Sequence, residues 1–314
     1  METLCCRSRN FAFSRICYSQ PRVEHYKLHA HDSFELLFVI GGKGHYLVEG
    51  REYPLSADTV MIMRPGEVHC LLVDASVPYE RVCINFREEL IRDFDPEGLL
   101  LEPFFKRGLG ERNRYELSCS EELLRLLPES GVGKRDGETA LAAQLFLLRA
   151  LFEISRRRDS GSAHDEPQPL EPVLRFINRN LFGELSLQDV AEHFYISPAQ
   201  LNRRMKRLVG TTFWNYVLVK RLLASKSLLR QGIPAGEAAR RCGFGEYSAY
   251  YRAYKKHFGA SPRDEFAGAR ENAAMDEDET LEMPAFKEDG YEHRDYNSAP
   301  CYQTDDGRRD THAY

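Results

Sequence analysis

The period of the hydrophobic positions changes along this chain. From residue 22 to about residue 87, apolar residues come in short runs broken by Gly and Pro, the pattern of strands. Phe34 to Ile40 reads as a buried strand that Gly41 to Gly44 ends, and Val60 to Met63 is a second apolar run, ended by Arg64-Pro65-Gly66. His45 to Val48 and Arg51 to Leu55 flank Glu49-Gly50, which predicts a two-residue hairpin loop. Short, closely spaced strands of this kind predict a barrel or sandwich. The period then becomes helical, from Glu121 to Leu127 and from Thr139 to Arg158. In the second of these, Leu141, Leu145, Leu148, Leu151 and Phe152 form a stripe. That stripe must pack on the sheet, on the preceding helix or on another subunit.

Asp159 to Pro169 is polar and rich in Ser, Gly and Pro, the composition of a linker. Leu170 to Leu181 resumes a helix with apolar Val173, Leu174, Ile177 and Leu181. Beyond about Gly268 the chain is acidic and poor in aliphatics, too polar to offset its ordering entropy, so a disordered tail is expected. The predicted organisation is an N-terminal arm (1–20), a strand-rich domain with following helices (21–158), a linker (159–169), an all-helical domain (170–270) and the tail (271–314). The fold class is α+β.

Within the helical domain two stretches repeat one design. In the first, Ser186 caps a helix running from Leu187 to about His193, and Ala191 is small enough for close approach of a second helix. Ser197 and Pro198 open that second helix, Leu201, Met205 and Leu208 form its inward stripe, and Gly210 ends it. In the second stretch Ala239 is the small residue, Gly243 serves the turn, Phe244 plugs the core, Tyr250, Tyr254 and Phe258 face inward, and Gly259 closes the helix. Between them a helix from Thr212 to Arg230 carries Phe213, Tyr216, Val217, Leu222, Leu223 and Leu228 and spans roughly 28 Å. Short helix, tight turn and polar second helix make a helix-turn-helix, and two in series on a stiff spacer suit neighbouring turns of a duplex about 34 Å apart. The outward residues include Arg, Asn and Gln, which bond base edges bidentately, and Lys, which meets phosphates.

Charge sharpens that expectation. The chain has 314 residues and a net charge of -5. Residues 170–270 hold 17 Lys+Arg against 8 Asp+Glu, while residues 271–314 hold 4 against 13. A basic domain within an acidic protein localises the polyanion partner to that domain. No apolar run approaches the ~18 residues of a membrane span, and Met1 to Ser14 lacks the apolar core of a secretion signal, so a cytoplasmic protein is expected. The eight cysteines include no C-x-x-C pair, so neither a zinc knuckle nor a redox motif is supported, and the thiols are expected to be reduced.

Residues 170–270 resemble the DNA-binding domain of the AraC/XylS family of bacterial transcription regulators. The likeness is carried by Cys242-Gly243-Phe244 and by Tyr254-Lys255-Lys256-His257-Phe258-Gly259-Ala260-Ser261-Pro262. Position by position, the resemblance implies base-reading sites at Ala199, Gln200, Asn202, Arg203 and Lys206 in the first unit. In the second unit it implies Tyr247, Ser248, Tyr251 and Arg252, and Lys255 joins them on the outward face. The sequence departs from the family at Met205 for Phe, Ala238 for a branched aliphatic and Gly245 for the usual Ser or Thr cap. The implied partners are promoter DNA, RNA polymerase, a small-molecule effector (a sugar at the family level) and a second copy of the chain. The Thr139–Arg158 helix is the candidate dimer face.

His29, His31 and Glu35 share strand parity, and His69 follows in Pro65-Gly66-Glu67-Val68-His69. This arrangement, with Gly42 seven residues after Glu35, is similar to the two motifs of the cupin barrel. The expectation is a cupin-like sensor in which these four residues hydrogen-bond within the barrel or line an effector pocket, with no cofactor and no metal. The alternative is a metal-dependent cupin enzyme fused to a DNA-binding module, since two His, a Glu and a later His can ligate a divalent metal. On balance the sequence predicts a ligand-responsive transcription regulator and not an enzyme.

Overall fold

The computed structural model describes residues 2–8, 10–21, 29–117, 120–127, 136–157 and 170–268. The expected linker and the acidic tail therefore lie outside the described residues.

Among the described residues of the N-terminal half, nine antiparallel strands form two sheets. One is β1 (Glu2–Ser8), β2 (Phe11–Tyr18), β8 (Tyr79–Phe86), β3 (Phe34–Gly41), β6 (Thr59–Met63) and β9 (Arg114–Glu116), in that spatial order. The other is β5 (Arg51–Leu55), β4 (Gly44–Val48) and β7 (His69–Val73). Strands β3 and β6 are apolar at both parities because both their faces are covered. Leu37, Val39, Met61 and Met63 point between the sheets and meet Tyr46, Val48, Tyr53, Leu55, Leu71 and Val73. Leu36, Phe38, Val60 and Ile62 point the other way, into a core closed by α1 (Glu102–Phe105), α2 (Ser120–Leu124) and α3 (Asp136–Ser155). Phe104, Leu123, Phe146 and Leu147 fill that core.

Three expectations need correction. Residues 2–18 are not a free arm: β1 and β2 form a hairpin laid on β8, because Phe11 and Phe13 alternate into the helical core and are fully buried. The α3 stripe also divides. Ala143, Phe146, Leu147, Ala150, Leu151 and Ile154 face the core, and Leu148 packs at its edge. Leu141, Leu145 and Phe152 remain 59%, 49% and 45% exposed. The sequence stripe had merged two neighbouring faces of a helix that is apolar on more than one side. On the helix from Pro198 to Val209, Val209 is buried and Leu208 only partly so, shifting the inward stripe to Leu201, Met205 and Val209.

Glu49-Gly50 is the predicted hairpin turn: φ is +50° at Glu49 and +80° at Gly50, and Val48 pairs with Arg51 across it. The loop after β6 is held by a buried ion pair. Arg107 grips Glu67 with two nitrogens at 2.6 and 2.7 Å, and Gly110 N and Asn113 Nδ2 donate to the same carboxylate at 3.0 and 3.2 Å. Burial alone would push the Glu67 carboxyl up, but the charge and hydrogen bonds of Arg107, with the Arg64 charge and the Gly110 N–H, together outweigh it and hold the group below its ordinary range.

The C-terminal half is helical: α4 (Glu171–Arg179), α5 (Leu187–His193), α6 (Pro198–Val209), α7 (Phe213–Arg230), α8 (Ala235–Arg241), α9 (Tyr247–Phe258) and α10 (Pro262–Gly268). No helix among the described residues is long and apolar enough to cross a membrane. Removing one partner of a buried ion pair strands the other, so Arg107→Ala should cost about 3–5 kcal/mol of stability. Denaturant unfolding of the full chain measures this; a loss below about 1 kcal/mol would mean that Glu67 is not held as described.

Candidate functional site

Both helix-turn-helix units are built on α7. Phe213, Tyr216 and Val217, at its N-terminal end, pack with Leu201, Met205, Val190 and Ala191 of the first unit. Leu222 and Leu229 pack with Ala238, Ala239, Tyr250 and Tyr254 of the second. Arg221 ties the two together, donating to the carbonyls of Leu181, Gly183 and Gly243 at 2.7, 2.8 and 2.7 Å.

The turns solve one problem in two ways. Four residues beyond the small residue of each unit the backbone is left-handed, at Tyr195 (φ +54°) and at Gly243 (φ +77°). Tyr195 projects its ring into solvent. At Gly243 a Cβ would lie 2.7 Å from the carbonyl oxygen of Phe182, so only glycine fits. The helix starts also differ. Ser197 Oγ accepts from Gln200 N while Gln200 Oε1 accepts from Ser197 N, a complete capping box. The second unit begins at Glu246, whose side chain makes no capping bond, in keeping with Gly245 replacing a hydroxyl residue.

Of the ten residues expected at DNA, eight are exposed: Ala199, Gln200, Arg203 and Lys206 on α6, and Tyr247, Ser248, Arg252 and Lys255 on α9. Asn202 and Tyr251 are half-buried. Gln200 holds its own helix start through the capping box. Asn202 Oδ1 accepts from Phe213 N at 3.0 Å, satisfying a backbone donor at the start of α7. Arg204 and Arg207, on the same outward face, line a cleft with Gln200 and Arg203. Counted from the first residue of each helix, Arg203 matches Arg252 and Lys206 matches Lys255, so both helices present one Arg and one Lys at the same two positions.

The second candidate site lies at one end of the two sheets. His29, His31, Glu35 and His69 come together, one ligating atom of each lying within 4.8 Å of the others. They do so although only Glu35 and His69 are in strands: an isolated bridge between His29 and His69 brings the preceding segment alongside β7. His31 Nε2 lies 2.8 Å from Glu35 Oε2. Tyr46 donates to Glu35 Oε1 at 2.9 Å, and Asn85 Nδ2 donates to Oε2 at 3.3 Å. Burial pushes the Glu35 carboxyl up, but His69 and His31 beside it prevail and hold it well below the usual carboxylate range. Burial, with Glu35 adjacent, pushes the Tyr46 phenol up, so it stays a donor.

This cluster abuts the helical half. Ala30, between two of the histidines, and Val68, next to the fourth residue, are buried in the same apolar core as α4, α6 and α7. Glu49 was not singled out from the sequence, yet it is the principal polar contact there. Its Oε1 accepts from Val68 N at 2.9 Å and from Lys220 Nζ at 2.6 Å, and its Oε2 accepts from the Tyr216 hydroxyl. Lys220 Nζ also donates to Gly66 O at 2.6 Å. Arg51 to Glu171 at 2.5 Å and Arg175 to Glu111 at 2.9 Å flank this contact, and Arg230 reaches Asp32.

Paired helix-turn-helix units on one connecting helix, joined to a two-sheet sensor with a buried polar cluster, define a two-domain transcription regulator. The chain belongs to the AraC family: residues 12–154 match the model of the AraC-like ligand-binding domain, and residues 190–267 match a helix-turn-helix domain. It is a DNA-binding regulator with an N-terminal ligand-binding domain. Among curated proteins it is similar to the transcriptional activator RhaS of Salmonella arizonae, 25% identical over 239 residues that cover 75% of this chain and 86% of that one. It is also similar to the HTH-type transcriptional regulator YfiF of Bacillus subtilis, 24% identical over 271 residues covering 78% and 81%. Among solved structures, fatty-acid-bound ToxT of Vibrio cholerae aligns over 83% of this chain and 96% of its own at 11% identity and a TM-score of 0.36. An AraC-type regulator from Chromobacterium violaceum aligns over 33% of this chain and 94% of its own, at 28% identity and a TM-score of 0.30.

Since Asn202 serves a helix start, Asn202→Ala should lower stability by about 1 kcal/mol. Exposed Arg204→Ala should change it by less than about 0.5 kcal/mol. Unfolding of the two variants side by side decides whether Asn202 is a structural residue.

Proposed function

We propose that the chain reads promoter DNA through the exposed faces of α6 and α9, and that a small-molecule effector held at His29, His31, Glu35 and His69 governs that binding. The matched Arg203–Lys206 and Arg252–Lys255 pairs carry the first part of this reading. An Arg and a Lys three residues apart share one helix face. The Arg is suited to a guanine edge and the Lys to a phosphate. Ala199, Tyr247 and Ser248 stand beside them at the helix starts, where side chains reach into the major groove. Gln200 and Asn202 also brace the first unit, through the capping box and the bond to the α7 start, and Tyr251 stands half-buried beside Tyr247. The chain acts as a cytoplasmic regulator and not as an enzyme. That the RhaS relatives are activators supports recruitment of RNA polymerase once the protein is on DNA.

The effector's control is a shift of population: a ligand changes DNA affinity only by binding one arrangement of the two halves better than another. The contact of Glu49 with Tyr216 and Lys220 supports this route, because it joins the sensor to the helix that carries both readers. A second copy of the chain covers the exposed face of α3. Leu141 and Leu145 lie one helical turn apart and Phe152 continues the same side, leaving apolar area that a monomer would keep in water.

Arg203→Ala and Arg252→Ala should each weaken specific binding by about 1–3 kcal/mol and relax base preference at one position. Duplexes selected from a random pool by the wild-type protein provide the probe; unchanged binding to selected and unselected duplexes by both variants defeats the reading. Leu145→Glu should yield a monomer at micromolar concentration with little change in unfolding midpoint. Sedimentation equilibrium checks this, and a variant that sediments like the wild type refutes the α3 face.

A further inference from the structure

We propose that His29, His31, Glu35 and His69 form a binding site for a divalent transition-metal ion, and that its occupation is the signal passed to the DNA-binding half. This rests on the reading of the cluster as the sensor's ligand seat and names the ligand class, in place of the metal-free pocket expected from the sequence.

Geometry at His69 is the first argument. Its Nδ1 lies 2.7 Å from the carbonyl oxygen of Glu67, which only accepts, so Nδ1 carries a hydrogen and Nε2 is the nitrogen turned to the cluster. That Nε2 is buried, makes no hydrogen bond and faces Glu35 Oε2 at 3.7 Å. An imidazole nitrogen and a carboxylate oxygen at that separation, away from water, leave room for a cation that bonds to both. The other two imidazoles converge on the same place, with ring centroids 4.9 Å (His29 to His31), 4.3 Å (His29 to His69) and 5.2 Å (His31 to His69) apart. Four donors spaced within 4.8 Å close around a metal at about 2.0–2.2 Å by small ring rotations.

Supporting groups are in place as metal sites require. The Glu67 carbonyl orients His69, and Tyr46 and Asn85 orient the Glu35 carboxylate. The Glu67 side chain is itself fixed by Arg107. Three nitrogens and one oxygen suit zinc, iron, cobalt, nickel or manganese, whereas calcium and magnesium take oxygen donors.

Linkage to DNA follows from where the ligands hang. Ala30 and Val68 sit among the ligands in sequence and in the core of the helical half in space. Gly66 N donates to His31 O at 2.8 Å, and Gly66 O accepts from Lys220 of α7 at 2.6 Å. An ion that draws residues 29–31 and 66–69 together therefore acts on the surface against which α7 rests. A typical coupling between two sites changes affinity by about 5–150-fold.

The test uses the full chain, stripped with chelator and dialysed. Cobalt(II) should give a ligand-field absorption band that saturates at one ion per chain and is displaced by zinc. His69→Ala and Glu35→Gln should abolish the band, whereas His45→Ala, which alters only a surface pair with Glu52, should retain it. No band in the wild type, or a band that survives in both cluster variants, overturns the site, and the wild-type titration decides even if those variants misfold. Affinity for a selected duplex should change at least fivefold on adding zinc to the wild type, and not in His69→Ala. Equal affinity with and without zinc in a metal-binding chain overturns the signalling role. A chain that binds duplex but no metal defeats this inference alone; one that binds metal but no duplex defeats the regulator reading and leaves the site.

Discussion

The buried carboxylate of Glu49 is the constraint around which the two halves are arranged. A charge taken out of water costs several kcal/mol unless hydrogen bonds and an opposite charge compensate it. Glu49 is compensated from both sides: Val68 N belongs to its own half, while Lys220 and Tyr216 come from α7. The hairpin turn permits this because a left-handed backbone at Glu49 carries its side chain away from the strands. Gly50 completes the fit, since a Cβ there would lie 2.9 Å from Leu174 Cδ1 of α4. Separating the halves would return Glu49 and Lys220 to water, so the contact is specific without being irreversible. Such balance suits a regulator, which needs two arrangements of similar free energy.

Because that contact falls on α7, its consequences reach both reading helices. Arg221 lies one residue beyond Lys220 and binds carbonyls from the first unit's approach and from the second unit's turn. The α7 helix thus works as a rigid spine with the sensor on one side and the two readers at its ends. The readers differ in firmness. The first has a complete capping box and Asn202 bonded to the α7 start, whereas the second starts without a side-chain cap. A cap contributes on the order of 1 kcal/mol, so the second reader is the one whose helix start frays more readily when DNA is absent.

Much of this was legible in the sequence where a local rule forced it. Left-handed glycines at 210 and 259 end the reading helices, Ser186, Ser197 and Thr212 cap helices through their own oxygens, and Ala191 and Ala239 are buried at the close approaches. What the sequence could not give were the residues whose roles depend on distant partners. Glu49 reads as a turn residue, and only the pairing of β4, β5 and β7 with α7 makes it an interdomain key. Glu67 likewise looks like a solvated loop acid until Arg107 meets it 40 positions away. Asn202 and Gln200 fall on the outward face by helical position and by resemblance, but an amide serves a helix start as readily as a base edge. The α3 stripe failed for a different reason: a helix with apolar residues on two adjacent faces has no single stripe to find.

The path from the histidine cluster to the helix that carries both helix-turn-helix units is short in this chain. Residues 66–69 contain a carbonyl that binds Lys220, a carboxylate locked by Arg107, an apolar residue buried in the helical half and a member of the histidine cluster. Four consecutive residues thus touch the histidine cluster, the scaffold and the helix that carries both helix-turn-helix units. The Arg107 bracing makes that segment stiff, and a stiff segment transmits a small displacement where a mobile one would absorb it. No long relay through the protein is needed, because an event at His69 and the seating of α7 are consequences of the same short piece of backbone.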